Sequence, residues 1–305
     1  MSNRKNLFAW PPAVFCFALI CALLWGSAFP MVKLGFTLLT IQHSTGGKLF
    51  FAAYRFCLAG LMILAGLRVC GKPIRLPGAR DYGAVLLTGL LQTGLQYTLF
   101  YIGLSNTTGV KASIINGSGS FFLALFSHLW FKDDPLTVRK SAGLIVGFLG
   151  ILLVNVHGRH LDFRMTLTGD GFILLSALCS TLALIVVKKT GVRVYPLLMS
   201  AYQMISGSVM LFLLALFFDT PTVLNFSPAS IGLMAYLSFL SATAFSLWYV
   251  LVLHNRLSSI AVYRFLIPVC AVLLSVLLIA GEHLQWTAVV ALLMVCMGMV
   301  LTSRV

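Results

Sequence analysis

Ten apolar windows, each close to the roughly 18 residues that cross a hydrocarbon core of about 30 Å, follow one another along this 305-residue chain. They run Pro12 to Phe36, Gly46 to Leu67, Tyr82 to Leu104, Gly109 to Phe131, Ser141 to Val156, Gly169 to Val187, Tyr195 to Phe218, Pro228 to Leu253, Ser258 to Ala280 and Leu284 to Thr302. In lipid every backbone N–H and C=O must be satisfied within the chain, so runs of this length can only be helices. The expected fold is an all-α integral membrane protein with ten transmembrane helices. Only 9% of residues are charged, against about 25% in soluble domains. Arg4 and Lys5 before the first window fit a signal peptide poorly, because the apolar segment is too long and nine more follow.

The net charge of +14 would suit a nucleic-acid partner if it were clustered on a soluble face, but its distribution says otherwise. With a cytoplasmic N-terminus, fourteen of the 21 Lys and Arg fall on inner segments, among them Arg68, Lys72, Lys132, Arg139, Lys140, Lys188 and Lys189. Five fall outside (Lys33, Lys48, Lys111, Arg159 and Arg164), and Arg55 and Arg264 lie within spans. This is the positive-inside bias of a multi-pass protein, and it places both termini in the cytoplasm, with the cell (inner) membrane as the expected location. Six of the seven cysteines lie in apolar windows, Cys70 lies in an inner loop, and no C-x-x-C occurs, so they read as small apolar residues.

The chain also repeats itself. AYRFCLAG (53 to 60) returns as AYQMISGS (201 to 208), so that Tyr54 aligns with Tyr202 and Arg55 with Gln203 at a separation of 148. Asn106 aligns with Asn255, and Asp133 with Glu282, at 149. Five spans per copy is an odd number, so the second copy must enter the membrane the other way up. The basic turn KDDPLTVRK and its counterpart GEHLQW, which has no Lys or Arg, agree. The expected domains are a first five-helix repeat over 1–156, an outer linker over 157–168 and a second repeat over 169–305. Two inverted five-helix repeats are the plan of secondary transporters, whose halves rock about a central site.

A charge inside a membrane costs about 2.5–3.5 kcal/mol on insertion scales, so each one calls for an explanation. Arg55 lies about 13 Å into its helix at 1.5 Å per residue, too deep to snorkel comfortably. It is either an anion anchor or a structural charge bonded to neighbouring helices. Arg264 lies nearer a span end, where snorkelling is the favoured explanation, and Lys33 reads as an interfacial or gating charge. All seven acidic residues fall at span ends or in loops. No carboxylate is thus available mid-membrane to balance a cationic cargo, which leans towards a carboxylate-bearing or zwitterionic one.

Polar and aromatic residues gather in the first, third, fourth and eighth windows: Trp25, Gln92, Gln96, Tyr97, Asn116, Ser118, Trp248 and Tyr249. Gln92 and Gln96 share a helix face with Tyr97 on its shoulder. Such groups suit a cavity for a small polar metabolite, although Ser, Asn and Gln also bond between helices for purely structural reasons. Gly117 and Gly119 in one half and Pro268 in the other are expected to weaken helices at matching depth, a pointer to the binding site in inverted-repeat transporters. Gly143-x-x-x-Gly147 reads as close helix packing. No H-E-x-x-H, P-loop or G-x-S-x-G occurs, and His157 and His160 form only a weak H-x-x-H, so no catalytic residue, metal or cofactor is expected.

LLWGSAFPMVKLGF (23 to 36), AAYRFCLAG (52 to 60), LFYIGLSNTTGVKASIINGSGSFFLAL (99 to 125) and GLIVGFLGILLVN (143 to 155) resemble the drug/metabolite transporter superfamily, in its EamA-like branch. The likeness covers nearly the whole chain and is weaker in the second half, where LCSTLAL stands in place of the tryptophan-glycine motif. It implies ten helices in two inverted halves. It also implies a central cavity lined by the first, third, fourth, sixth, eighth and ninth spans, and alternating-access export of amino acids or related polar, zwitterionic metabolites. The second span would then be peripheral, with Arg55 a supporting or gating charge. An uptake permease of the same fold and an intramembrane enzyme acting on lipid-linked groups are the alternatives. The expected partners are a small-molecule substrate and membrane lipid but no nucleic acid. A coupling proton, and the choice between monomer and homodimer, stay open.

Overall fold

The computed structural model describes residues 7–107, 109–156, 165–191, 193–218, 226–278 and 286–303, and among these every regular element is a helix. Six helical segments are long and apolar enough to cross a membrane. They are α1 (Pro11–Leu38), α2 (Thr45–Val69), the composite of α3 (Ala79–Gly89) and α4 (Gln96–Ser105), α8 (Phe172–Thr190) with its π-helical lead-in Leu167–Gly171, α9 (Pro196–Phe218) and α10 (Pro228–His254). The remaining apolar helices are shorter: α5 (Gly109–Gly117), α6 (Gly119–Trp130), α7 (Val138–Val156), α11 (Leu257–Ala261), α12 (Leu266–Leu278) and α13 (Trp286–Ser303). The protein is a multi-pass membrane protein.

Local chemistry sets the helix ends. Ser44 caps α2 by accepting from Gly47 N at 2.7 Å. The other end of α2 closes when Gly71 turns left-handed (φ +67°), so that Lys72 N can reach Leu67 O at 2.9 Å. Ser227 and Ser230 form a reciprocal cap at the start of α10, with Pro228 in the first turn. Asn106 and Asn255 play the same part at the ends of two different helices. Each is the residue that ends its helix, α4 or α10, and each donates its side-chain amide to the carbonyl four residues back, Ile102 O at 2.8 Å and Leu251 O at 2.9 Å.

Two of the expected spans are not continuous. The fourth window is α5 and α6, parted at Ser118 between Gly117 and Gly119. The ninth is α11, a 3₁₀ turn over Val262–Phe265, and α12. Pro268 does not itself lie at that second break, being the third residue of α12. The missing N–H and the ring of Pro268 act on the carbonyl of Arg264, four residues earlier, and that is where the α-helical pattern gives way. The third span holds a π turn, Leu90–Leu95, which continuous helical periodicity did not anticipate.

The helices pack as α2 on α9, α7 on α13, α1 on α10 and α12, α2 on α10, α3 on α9, and α4 and α6 on α8. Small residues make the closest approaches possible. A Cβ on Gly143 would lie 2.6 Å from Gly298 O, and one on Gly298 would lie 2.5 Å from Gly143 O, so α7 and α13 meet backbone to backbone; Gly147 lies against the Phe265 ring. Gly298→Ala must therefore push two main chains apart. It is expected to lower stability by about 1–3 kcal/mol, read as a lower thermal unfolding midpoint in detergent, and an unchanged midpoint would show that the seam opens without cost.

One polar cluster ties the turn between α6 and α7 to the start of α11. Asp134, in the turn between α6 and α7, accepts hydrogen bonds from Lys140 Nζ at 2.8 Å and from Ser258 N, near the start of α11, at 3.0 Å. The Ser127 and Ser258 hydroxyls also donate to it. The Asp134 and Lys140 side chains are 3% and 0% exposed, so this ion pair is shielded from water.

Candidate functional site

Where α1, α2, α4 and α10 converge, aromatic rings form an unbroken chain. Trp25 of α1 meets Trp248 and Phe245 of α10 edge-on at 5.6 and 5.3 Å between centroids. Phe245 continues to Tyr249 and to Phe56 of α2, each at 6.3 Å. Phe56 packs on Tyr97 of α4 at 4.5 Å, and Tyr97 leads to Tyr101 at 6.0 Å. Next to Trp25, Gly26 lets α1 lie close against α12, since a Cβ there would lie 2.9 Å from Ala271 N.

Arg55 is set into this wall. Its side chain is buried, with the guanidinium 4.3 Å from the Phe56 ring centre and 5.6 Å from that of Tyr97. The negative faces of the rings attract it, by about 2 kcal/mol where water is excluded. Its Nε has no hydrogen-bond partner, and neither has the buried hydroxyl of Tyr249. The expectation that α2 is peripheral is corrected here: the outer face of α2 is exposed at Tyr54, Leu58 and Leu61, but Arg55 and Phe56 point into the centre.

Beside Tyr97 the π turn presents the two glutamines. Gln92 Nε2 donates to Gln96 Oε1 and reaches Ser180 Oγ of α8 at 3.4 Å, while Gln92 Oε1 is buried without a partner. One turn back along α8, Ser176 Oγ is also buried and unpartnered. Sequence reasoning missed Phe56, Phe245, Ser176 and Ser180. The i, i+4 spacing of the two serines was the available signal, but serines at that spacing are as common in plain helix contacts.

A second cation lies beyond the adjacent face of α8, the one that carries Ala177 and Thr181. Arg264, on the 3₁₀ turn, does not snorkel: its Nη1 and Nη2 lie 3.2 and 3.4 Å from where a Cβ on Gly119 would stand, and Nη1 is buried without a partner. Gly119 thus leaves the space that the guanidinium fills. Thr181 Oγ1 of α8 donates to Gly119 O at 3.2 Å across the same break, and Ser118 Oγ is buried and unpartnered. Asn116 is half-buried on α5, and Gly117 packs towards Ile151 and Phe148 of α7. Lys33 is exposed on α1, away from both clusters.

Among the described residues the acids are Asp81 in the first turn of α3, Asp133 and Asp134 between α6 and α7, and Asp170 in the lead-in to α8. None of these forms an ion pair with Arg55 or Arg264. Asp162, Asp219, Glu282, His157 and His160 lie outside the described residues. No group of three or more His, Cys, Asp and Glu that could hold a metal occurs among those described. Around each of the two guanidinium groups lie polar atoms with spare hydrogen-bonding capacity, and Arg55 in addition is walled by aromatic rings.

Comparison with known proteins agrees with a transport role. An uncharacterized transporter of Archaeoglobus fulgidus is 25% identical over 81% of this chain and 82% of its own. The uncharacterized transporter YvbV of Bacillus subtilis is 27% identical over 83% and 79%. A crystal structure at 15% identity matches the fold with a TM-score of 0.77 over 95% of this chain and 96% of that one. The profile of the EamA-like transporter family matches twice, over residues 13–156 and 167–304, and so the chain belongs to the EamA-like transporter family.

Proposed function

We propose that this protein is a secondary transporter of small metabolites that carry a carboxylate, amino acids and related zwitterionic compounds, and that it exports them across the inner membrane by alternating access. The observation that carries the substrate class is that Arg55 Nε and Arg264 Nη1 are both buried without a hydrogen-bond partner, and that among the described residues neither guanidinium forms an ion pair with a carboxylate. A ligand carboxylate would supply the missing acceptor, and the Trp25–Trp248 wall would cover its apolar part.

The ten-span inverted repeat belongs to the same proposal. Support comes from the two family matches, from the paired caps Asn106 and Asn255, and from the helix pairing. Exchanging the halves turns the packing of α1 on α10 into that of α8 on α3 and α4, and turns α2 on α10 into α9 on α3. The direction of transport and the cytoplasmic termini follow the family resemblance and the charge distribution.

The test is flux of labelled amino acids and other carboxylates into and out of proteoliposomes, with and without a proton gradient. Substrate-dependent flux is expected, and lipid turnover without flux would put an enzyme in its place. Within the site, Gln96→Leu is expected to reduce transport several-fold, in line with the roughly 0.5–1.5 kcal/mol of one neutral hydrogen bond, without reducing the amount of protein in the membrane. Unchanged kinetics would remove Gln96 from the site.

A further inference from the structure

A second cavity, of about 1460 Å³, lies between the C-terminal parts of α2, α8 and α10 and the start of α9. It is larger than the roughly 300–1,000 Å³ that small-molecule sites need. None of the groups of the candidate site lines it: Phe245, Trp248 and Tyr249 leave α10 on another side. Its walls are apolar, with Ile63 and Leu67 from α2, Leu197 from α9 and Leu247 and Val250 from α10.

The shape and charge of this cavity match one kind of occupant. Phe239 and His254 both line it and are fifteen residues apart on α10, about 22 Å at 1.5 Å per residue, more than half the hydrocarbon thickness of about 30 Å. At the deep end Met62 and Phe239 are 42% and 54% exposed, so the cavity opens sideways into lipid. At the shallow end stand exposed Lys72 and His254, together with Lys188. Lys188 Nζ already donates to the carbonyls of Val252, Leu253 and Asn255 and contributes charge alone. No Asp or Glu lines the cavity.

We propose that this cavity is a binding site for one anionic phospholipid from the leaflet at that end, with its phosphate at the Lys72–Lys188 mouth and an acyl chain along α10. An acyl chain accounts for the length and the lateral opening, and a phosphate accounts for the exposed Lys72 beside Lys188, whose own charge is partly offset by Asp133 and Asp134 behind it. A soluble metabolite accounts for neither.

The test is native mass spectrometry of the full chain titrated with phosphatidylglycerol or phosphatidylcholine, with inorganic phosphate as competitor. The wild type is expected to retain one phosphatidylglycerol, at least fivefold in preference to phosphatidylcholine. Gly66 lines the cavity, and a Cβ there meets nothing within 4 Å, so Gly66→Trp fills the space without a backbone clash. This variant should lose the lipid while keeping its thermal unfolding midpoint, and Val250→Trp, from the opposite wall, should do the same. Lys72→Gln should retain lipid but reduce the headgroup preference to near parity. Equal retention of the two lipids by the wild type, lipid retained by folded Gly66→Trp and Val250→Trp, or displacement by inorganic phosphate would each overturn the proposal.

Discussion

Arg55→Gln is expected to lower substrate flux about tenfold to a hundredfold, the effect of losing a charge-assisted hydrogen bond worth about 1.5–3 kcal/mol, while leaving the yield of folded protein unchanged. The two expectations have separate origins. Burying an unpaired cation in a membrane costs about 2.5–3.5 kcal/mol, and contact with the Phe56 and Tyr97 rings returns about 2 kcal/mol of it. Without ligand, then, the guanidinium adds nothing net to stability, and removing it should leave the thermal midpoint level or slightly raised. With ligand, it supplies a full positive charge beside the Phe56 and Tyr97 rings. Glutamine is the apt replacement because Gln203 already occupies the aligned position of the second half, fully buried and accepting from Thr93 Oγ1 at 2.7 Å. A variant with poor yield but intact flux per folded molecule would make Arg55 a brace and move the substrate elsewhere.

Asp134→Asn should produce the largest loss of stability. It leaves the Lys140 ammonium, with a fully buried side chain, facing a neutral amide, and breaking a buried pair from one side costs about 3–5 kcal/mol. Burial alone would raise the Asp134 carboxyl, but hydrogen bonds from Lys140, Ser127 and Ser258 outweigh it and hold the pKa below the ordinary carboxylate value. A depressed folded pKa means that this stabilisation is complete above the unfolded value of about 3.9 and is lost as pH falls through the lower folded one. The variant is therefore expected to unfold at a lower temperature than the wild type at pH 5–7, and the gap should close on acidification below the ordinary carboxylate range. Equal midpoints at neutral pH would show that Lys140 is satisfied without Asp134.

Much of this molecule was legible from hydropathy because lipid permits few structures. The described helices fall within or just beyond the windows marked by apolar runs. Trp25, Tyr97, Trp248 and Tyr249, chosen for residue type alone, lie in one aromatic wall. What escaped notice depended on contacts between segments distant in sequence. Arg264 reads as an interfacial charge because it stands near one end of the ninth window. The five-residue α11 and the 3₁₀ turn instead deliver it to Gly119. Asp134 looked like an ordinary loop acid, since nothing in KDDPLTVRK tells that Ser258, 124 residues on, donates both its N–H and its hydroxyl. Phe56 was masked by its position in a span assigned to the periphery.

The π turn at Leu90–Leu95 carries a consequence of its own. A turn that closes on the fifth residue stores one residue more than its α-helical neighbours, in effect a slack link in a taut rod. Taking up that slack would rotate everything beyond it by about 100°, the angle of a single residue at 3.6 per turn. Gln96, Tyr97 and Tyr101 all lie beyond it, while Gln92 lies within, so one local tightening would swing Tyr97 off the Phe56 ring and part the two glutamines. Gly89 and Gly94 let the ends of this turn lie close against Gly207 and Met210 of α9. The contacts of Tyr97 with Phe56 and of Gln96 with Gln92 are thus tied to the winding of six residues.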